Sequence, residues 1–266
     1  MAYRKGGPII GFTPRFLPFR ILFVMVLAAV RLFNLLVYRM RIRGRENLRR
    51  IDAAVLVSNH TLLLDPGIVA HAIRPRRTYF TMLEETALIP FLGTFVRLLG
   101  GVPIPERPGV MRSLDEAARA AVRETGFIHF FPEGECYRGN QQIRPFHHGA
   151  FLLACRLGVP VVSVTTVLHE TRWFGRSSLR LPGCTIRIPP RITVVIGAPV
   201  RPPLALLDGV SRRGGGVPLR SAARAIAGRV EDAMQAAIDR EGGSKNMYRG
   251  MMPRLVKRAE RDAAAS

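Results

Sequence analysis

The sequence predicts one α/β domain, a sheet flanked by helices, preceded by a basic and apolar helical segment. Four observations carry this. From residue 50 onward, short apolar runs alternate with amphipathic stretches, the pattern of strands interleaved with helices. The chain has 266 residues at 48% apolar composition, enough for a sizeable core. Its 25 Gly and 20 Pro are dispersed, which excludes collagen-like and wholly disordered chains. Finally, Ile21–Val30 is an uncharged run bounded by Arg20 and Arg31 and extended by Leu32 to Tyr38.

Strands are expected at Ala53–Ser58, Thr78–Thr81, Val102–Ile104, Phe127–Phe131, Val161–Val167, Thr185–Ile188 and Ile192–Ile196. Helices are expected at Pro66–Ala72, Ala87–Leu99, Val110–Glu124, Gly149–Leu157 and Pro218–Asp239. The last has Ala222, Ala225, Ile226, Val230, Met234, Ala237 and Ile238 on one stripe. Three parts follow: an anchoring segment over residues 1–45, the α/β domain over 46–240, and a basic tail over 241–266 that reads as frayed.

Charge narrows the partners. Forty basic against 19 acidic residues give +21, which predicts a polyanionic partner, a nucleic acid or an anionic membrane surface. Residues 1–50 hold 11 basic residues and one acid, Glu46, wrapped around the most apolar stretch of the chain. Nucleic-acid arms are not built that way, so a membrane surface is the expected partner and nucleic acid is not. A spanning helix needs roughly 20 apolar residues, and Arg31 near its middle costs about 2.5–3.5 kcal/mol. Both flanks are basic, so charge gives no reason to translocate either end. Arg20 and Arg31, eleven residues apart, lie on nearly one helical face, as in a helix lying in the interface. Residues 12–40 are therefore read as a monotopic anchor, with a single span as the alternative. Three Cys (Cys136, Cys155, Cys184) without a CxxC exclude a disulfide scaffold and a zinc module, and no metal is expected.

Two polar clusters end apolar strands, where open α/β sheets build their sites. In Ser58-Asn59-His60-Thr-Leu-Leu-Leu-Asp65-Pro66, the proline disfavours helix at Asp65. The stretch is expected to turn and bring Asp65 back onto His60. A carboxylate on one imidazole nitrogen fixes the tautomer and leaves the other as general base. The bland alternative is a strand-end His bonded to backbone, with Asp65 capping a helix. In Phe130-Phe131-Pro132-Glu133-Gly134, Glu133 next to a Gly suits a polar ligand, although Pro and Gly alone explain a plain turn.

Asn-His-x4-Asp, then Gly100-Gly-Val-Pro-Ile-Pro-Glu-Arg107, then Phe-Pro-Glu133-Gly134, then Pro145-Phe-His-His-Gly-Ala-Phe151, then Gly158-Val-Pro160-Val-Val resembles the glycerolipid acyltransferase family. Lysophosphatidic acid acyltransferases are its best-known members. The resemblance spans roughly residues 50–200 and implies a single mixed-sheet acyltransferase domain at a membrane surface. It also implies transfer of a fatty acyl group from an acyl thioester, on coenzyme A or acyl carrier protein, to a lysophospholipid hydroxyl. No cofactor is implied, and the place would be the cytoplasmic face of the inner membrane. By that resemblance His60 is the base and Asp65 its orienting acid. Arg107 would hold the acceptor phosphate, and Glu133 with Gly134 would shape the acceptor site. Asn59 and Arg138 join them as substrate-binding candidates, Arg144 and Arg97 as further cations for the phosphate, and the Pro160 segment would lie on the thioester or acyl-chain side.

Two departures stand out. The family has Thr and Arg after Glu-Gly, where this chain has Glu135 and Cys136. A Lys often precedes the block leading into Ile89-Pro90, where Glu84 is nearest. Both remove positive charge where a phosphate monoester would bind. Cys136 at that place looks like the branch acylating lysophosphatidylcholine or glycerol phosphate. Cys136 could also serve as an acylated nucleophile. No Gly-x-Ser-x-Gly elbow occurs. The rival reading of another class is a basic membrane-binding protein without catalysis.

Overall fold

The computed structural model describes residues 17–90, 93, 96–97, 100–104, 111–172, 178–181, 184–203 and 216–252. Helix α1 (Leu17–Leu36) leads into the strands β1 (Arg41–Arg43) and β2 (Ala54–Val57). Then come α2 (Asp65–Ala72), β3 (Tyr79–Leu83), α3 (Glu84–Leu88), β4 (Gly101–Ile104), α4 (Met111–Thr125) and β5 (Phe127–Phe130). After α5 (Gly149–Leu157) follow β6 (Val161–His169), β7 (Ser178–Leu181), β8 (Cys184–Arg187), β9 (Arg191–Ile196) and α6 (Gly216–Glu241).

Among the described residues seven strands form one sheet in the order β1-β9-β6-β2-β5-β3-β4, and β7 with β8 forms a separate pair. Every neighbouring pair in the large sheet is parallel except β6 and β9, so the sheet is mixed. The central strands are apolar without alternation because helices cover both faces. Val55 and Val57 pack with Phe151 and Met234 on one face. Ala54 and Leu56 pack with Ile68, Val69 and Ile73 on the other. Pro103 sits in β4, the edge strand, where its missing N–H costs little.

Three expectations need correcting. The helix expected at Ala87–Leu99 is broken: α3 stops at Leu88, and Ile89, just before Pro90, is extended at φ −65°, ψ 124°. Most of residues 91–99 lie outside the described residues. Second, β1 falls in the stretch assigned to the anchor, yet it pairs with β9 in the sheet. Third, residues 242–252 do not fray. Gly243 N–H bonds Ile238 O, Ser244 N–H bonds Leu168 O, and Met252 N–H bonds Cys136 O.

Helix α1 is inverted relative to a core helix. It buries Asn34, whose Nδ2 donates to Gly67 O at 3.3 Å, and exposes Ile21, Val24, Met25, Leu32, Leu35 and Leu36. Val30 packs so closely over Gly67 in α2 that a Cβ there would meet it at 2.8 Å. Among the described residues no helix is long and apolar enough to cross a membrane.

Gly126 sets the spacing of the two strands that carry the site. It ends α4 at φ +81°, accepts a hydrogen bond from Ala54 N–H, and leaves no room for a Cβ against the Asp52 carbonyl. Gly126→Ala should destabilise the fold by about 1–3 kcal/mol, read as an earlier urea midpoint with unchanged slope. An unchanged midpoint would contradict this account of the β2–β5 junction.

Candidate functional site

Strands β2 and β5 run parallel in register, Val57 opposite Phe130. Continuing both by three residues brings His60 beside Glu133, and the His60 backbone N–H donates to Glu133 Oε1 at 3.3 Å. The two motifs thus meet at the carboxyl ends of adjacent parallel strands.

Asp65 closes the first motif. Its Oδ2 accepts from His60 Nδ1 at 2.9 Å, from Thr61 N–H at 2.7 Å and from Leu62 N–H at 2.8 Å. The expected turn is therefore present, and it doubles as the entry to α2, where Asp65 is the first residue. A carboxylate at a helix N-terminus is favoured by the aligned peptide dipoles. Asp65 is fully buried, while the His60 side chain keeps 20% of its surface. Phe131 stacks on the His60 ring, centroids 4.1 Å apart at 20°. With Nδ1 committed to Asp65, Nε2 is left for a reacting proton. Burial by itself would lower the His60 pKa. The hydrogen bond and the charge of Asp65 outweigh it and hold the pKa above the ordinary imidazole value.

Glu133 is buried, and burial pushes its carboxyl up to about 8 against the pull of the His60 N–H. Its Oε2 has no hydrogen-bond partner among the described residues. Gly134 adopts φ +75°, with the His147 ring 2.9 Å from where a Cβ would stand.

The other candidates fall in different places. Asn59 is taken up by the fold: its Nδ2 donates to Thr166 O at 2.9 Å and its Oδ1 accepts from Thr166 N–H at 2.8 Å. It ties the end of β2 to β6 where the strand ladder stops. Arg138 and Arg144 are exposed beyond Glu133, and the Arg144 guanidinium lies over the rings of Tyr137 and Tyr248. Arg107 lies outside the described residues. Among the described residues no group of three His, Cys, Asp or Glu side chains is arranged to hold a metal ion.

Sequence reasoning missed His129. This residue of β5 is fully buried behind Phe131, and its Nε2 lies 2.7 Å from Ser58 Oγ. Burial, and then the charge of His60, push its pKa down to about 3, so it stays neutral. The available signal was the two-residue period that puts His129 on the same strand face as Phe131.

Residues 39–167 match the family model described as Acyltransferase. A chloroplastic 1-acyl-sn-glycerol-3-phosphate acyltransferase of Brassica napus is 32% identical over 133 residues, 48% of this chain and 37% of that protein. One of Chlamydomonas reinhardtii is 32% identical over 169 residues, covering 60% and 46%. One of Haemophilus influenzae is 27% identical over 136 residues, covering 50% and 56%. The chain thus spans about half, or less, of the length of these relatives. The crystal structure of the 1-acyl-sn-glycerophosphate acyltransferase of Thermotoga maritima shares the fold, with a TM-score of 0.51 at 22% identity over 82% of this chain and 83% of that one.

The Glu133 carboxyl makes stability depend on pH. With its pKa raised from 4.5 to about 8, the folded chain holds a proton there that the unfolded chain has lost, so stability falls as pH rises between those values. Glu133→Gln removes that dependence. Its Tm advantage over the parent should grow from about pH 4.5 to about pH 8 and then level off. An advantage that stays flat or shrinks across that window would contradict the assignment.

Proposed function

Because residues 39–167 match the family model described as Acyltransferase, we propose that the chain moves a fatty acyl group from an acyl thioester, on coenzyme A or acyl carrier protein, to the free hydroxyl of a lysophospholipid. The leading acceptor is 1-acyl-sn-glycerol-3-phosphate, with phosphatidic acid as product. The observation that carries this reading is the buried Asp65 carboxylate bonded to His60 Nδ1, at the end of a parallel strand.

The acceptor O–H gives its proton to His60 Nε2 as the oxygen attacks the thioester carbonyl carbon. The C–S bond breaks, and the leaving thiolate takes that proton back from the imidazolium. Asp65 keeps Nδ1–H in place throughout and balances the charge that forms on the ring. The protonated Glu133 carboxyl beside His60 suits a hydrogen bond to an acceptor oxygen. Arg107, with Arg138 and Arg144, is assigned to the acceptor phosphate. No cofactor is needed in this scheme.

The same reading places the enzyme on a membrane surface, the cytoplasmic face of the inner membrane. The support is the outward apolar stripe of α1, packed on the helix that Asp65 begins, together with Leu63 and Leu64, exposed in the turn between His60 and Asp65. The formal charge of +21 suits anionic lipid.

Thiol release from an acyl thioester tests the reading. Release should require a lysophospholipid, and His60→Ala should lower it by about 10²–10⁴-fold. Lipid binding without thiol release would establish a non-catalytic membrane protein instead. A panel of acceptors separates lysophosphatidic acid from the zwitterionic head groups that Glu135 and Cys136 would favour.

The reaction needs a neutral imidazole, so kcat/KM should rise with pH to an inflection above the ordinary imidazole value of 6.5. Asp65→Asn removes the charge that raises that value. It should move the inflection to lower pH and reduce kcat by about 100-fold or more. An inflection left in place would sink the role given to Asp65.

A further inference from the structure

The segment after α6 does something the sequence did not suggest. Gly242, at φ +71°, reverses the chain, and Lys245–Met247 form a short 3-10 turn. The chain then runs antiparallel to the loop that follows Glu133. Arg249 N–H donates to Arg138 O at 2.8 Å, Arg138 N–H to Gly250 O at 3.1 Å, and Met252 N–H to Cys136 O at 2.8 Å. Tyr137 and Met251 face each other across this pairing. The other edge of the same loop is bonded to the His60 turn. Tyr137 N–H donates to His60 O at 2.8 Å, and Gly139 N–H to Thr61 O at 2.9 Å. Backbone groups of 136–139 therefore alternate between the two sides, like the middle strand of a three-stranded ribbon.

Side chains lock the same arrangement. The Arg144 guanidinium lies 5.2 Å from the Tyr137 ring centroid and 5.9 Å from that of Tyr248, joining loop to strap. Gly139, at φ +72°, lets the strap lie against it, because a Cβ there would strike the Met247 carbonyl.

We infer that residues 248–252 are a strap that positions the loop 134–140 against His60, and so fixes the wall of the site on the acceptor side. The loop continues directly from Glu133 and Gly134, and its backbone is bonded to His60 O and Thr61 O. Without the strap, Cys136 O and both backbone groups of Arg138 lose their partners, and only the His60 side of the ribbon remains. This inference rests on the acyl-transfer reading, because its measurable consequence is acceptor binding.

Three variants are compared with the full-length protein to test it: a chain ending at Gly243, Tyr248→Ala, and Tyr248→Phe. The assay is transfer from an acyl-coenzyme A to micellar lysophosphatidic acid, alongside circular dichroism and Tm. The truncated chain and Tyr248→Ala should raise the acceptor KM by about tenfold or more, with the thioester KM within about twofold of the parent. Tyr248→Phe, which keeps the ring over Arg144, should behave as the parent does. If kcat falls while both KM values hold, only the folded fraction has changed and the strap has no positioning role. Unchanged kinetics in Tyr248→Ala overturn the inference too, and that variant decides should the truncated chain not fold. A parent that transfers acyl groups while its variants leave the acceptor KM unmoved fails this inference alone. A parent that transfers nothing fails the function as well.

Discussion

Asp65 holds its carboxylate where water does not reach it, and the surrounding geometry answers that burden. An unpaired buried carboxylate is costly enough that folds avoid it. Here one oxygen takes hydrogen bonds from His60 Nδ1 and from the backbone N–H groups of Thr61 and Leu62. The same three bonds shape the turn, start α2 and aim the imidazole. Removing the carboxylate therefore disturbs both the fold locally and the base. The other oxygen, Oδ1, is buried without a hydrogen-bond partner among the described residues, so the compensation they supply falls on Oδ2 and on the start of the helix.

The rest of the site is arranged by sheet register. Because β2 and β5 are parallel neighbours, equal extensions beyond Val57 and Phe130 put His60 and Glu133 together. Behind them His129 and Ser58 fill the space between strand ends with a neutral polar pair, and Phe131 spans from that pair to the His60 ring. The charges then separate. The His60 pKa is held up by Asp65, that of His129 is pushed down by burial, and Glu133 keeps its proton near neutrality. One negative group, Asp65, is left to support one proton-carrying ring. That is the electrostatic requirement for moving a single proton between a hydroxyl and a leaving thiol.

What the sequence showed depended on whether the cause was local. Pro66 and the strand Ala54–Val57 together indicated a turn bringing Asp65 to His60, and Gly149–Leu157 appears as a helix with the bounds expected of it. Non-local causes were hidden. Arg41–Arg43 has a charged, three-residue pattern and becomes a strand only because β9 lies beside it. Asn59 reads as a polar site residue, yet its amide substitutes for a strand pair with Thr166, a partner 107 positions away. Residues 242–252 have the Gly-rich, basic composition of a loose end, and their order comes from the backbone of residues 136–139 and Leu168. The apolar run of α1 was legible, but its outward orientation required seeing Asn34 bonded to Gly67.

The central claim is that Asp65 fixes the His60 tautomer. Long-range proton–nitrogen correlation spectra of the His60 imidazole, followed from neutral to alkaline pH, measure it directly. The account predicts that Nδ1 stays protonated throughout, and that the proton lost on titration leaves from Nε2 at a pH above the ordinary imidazole value. A neutral ring carrying its proton on Nε2 would contradict it.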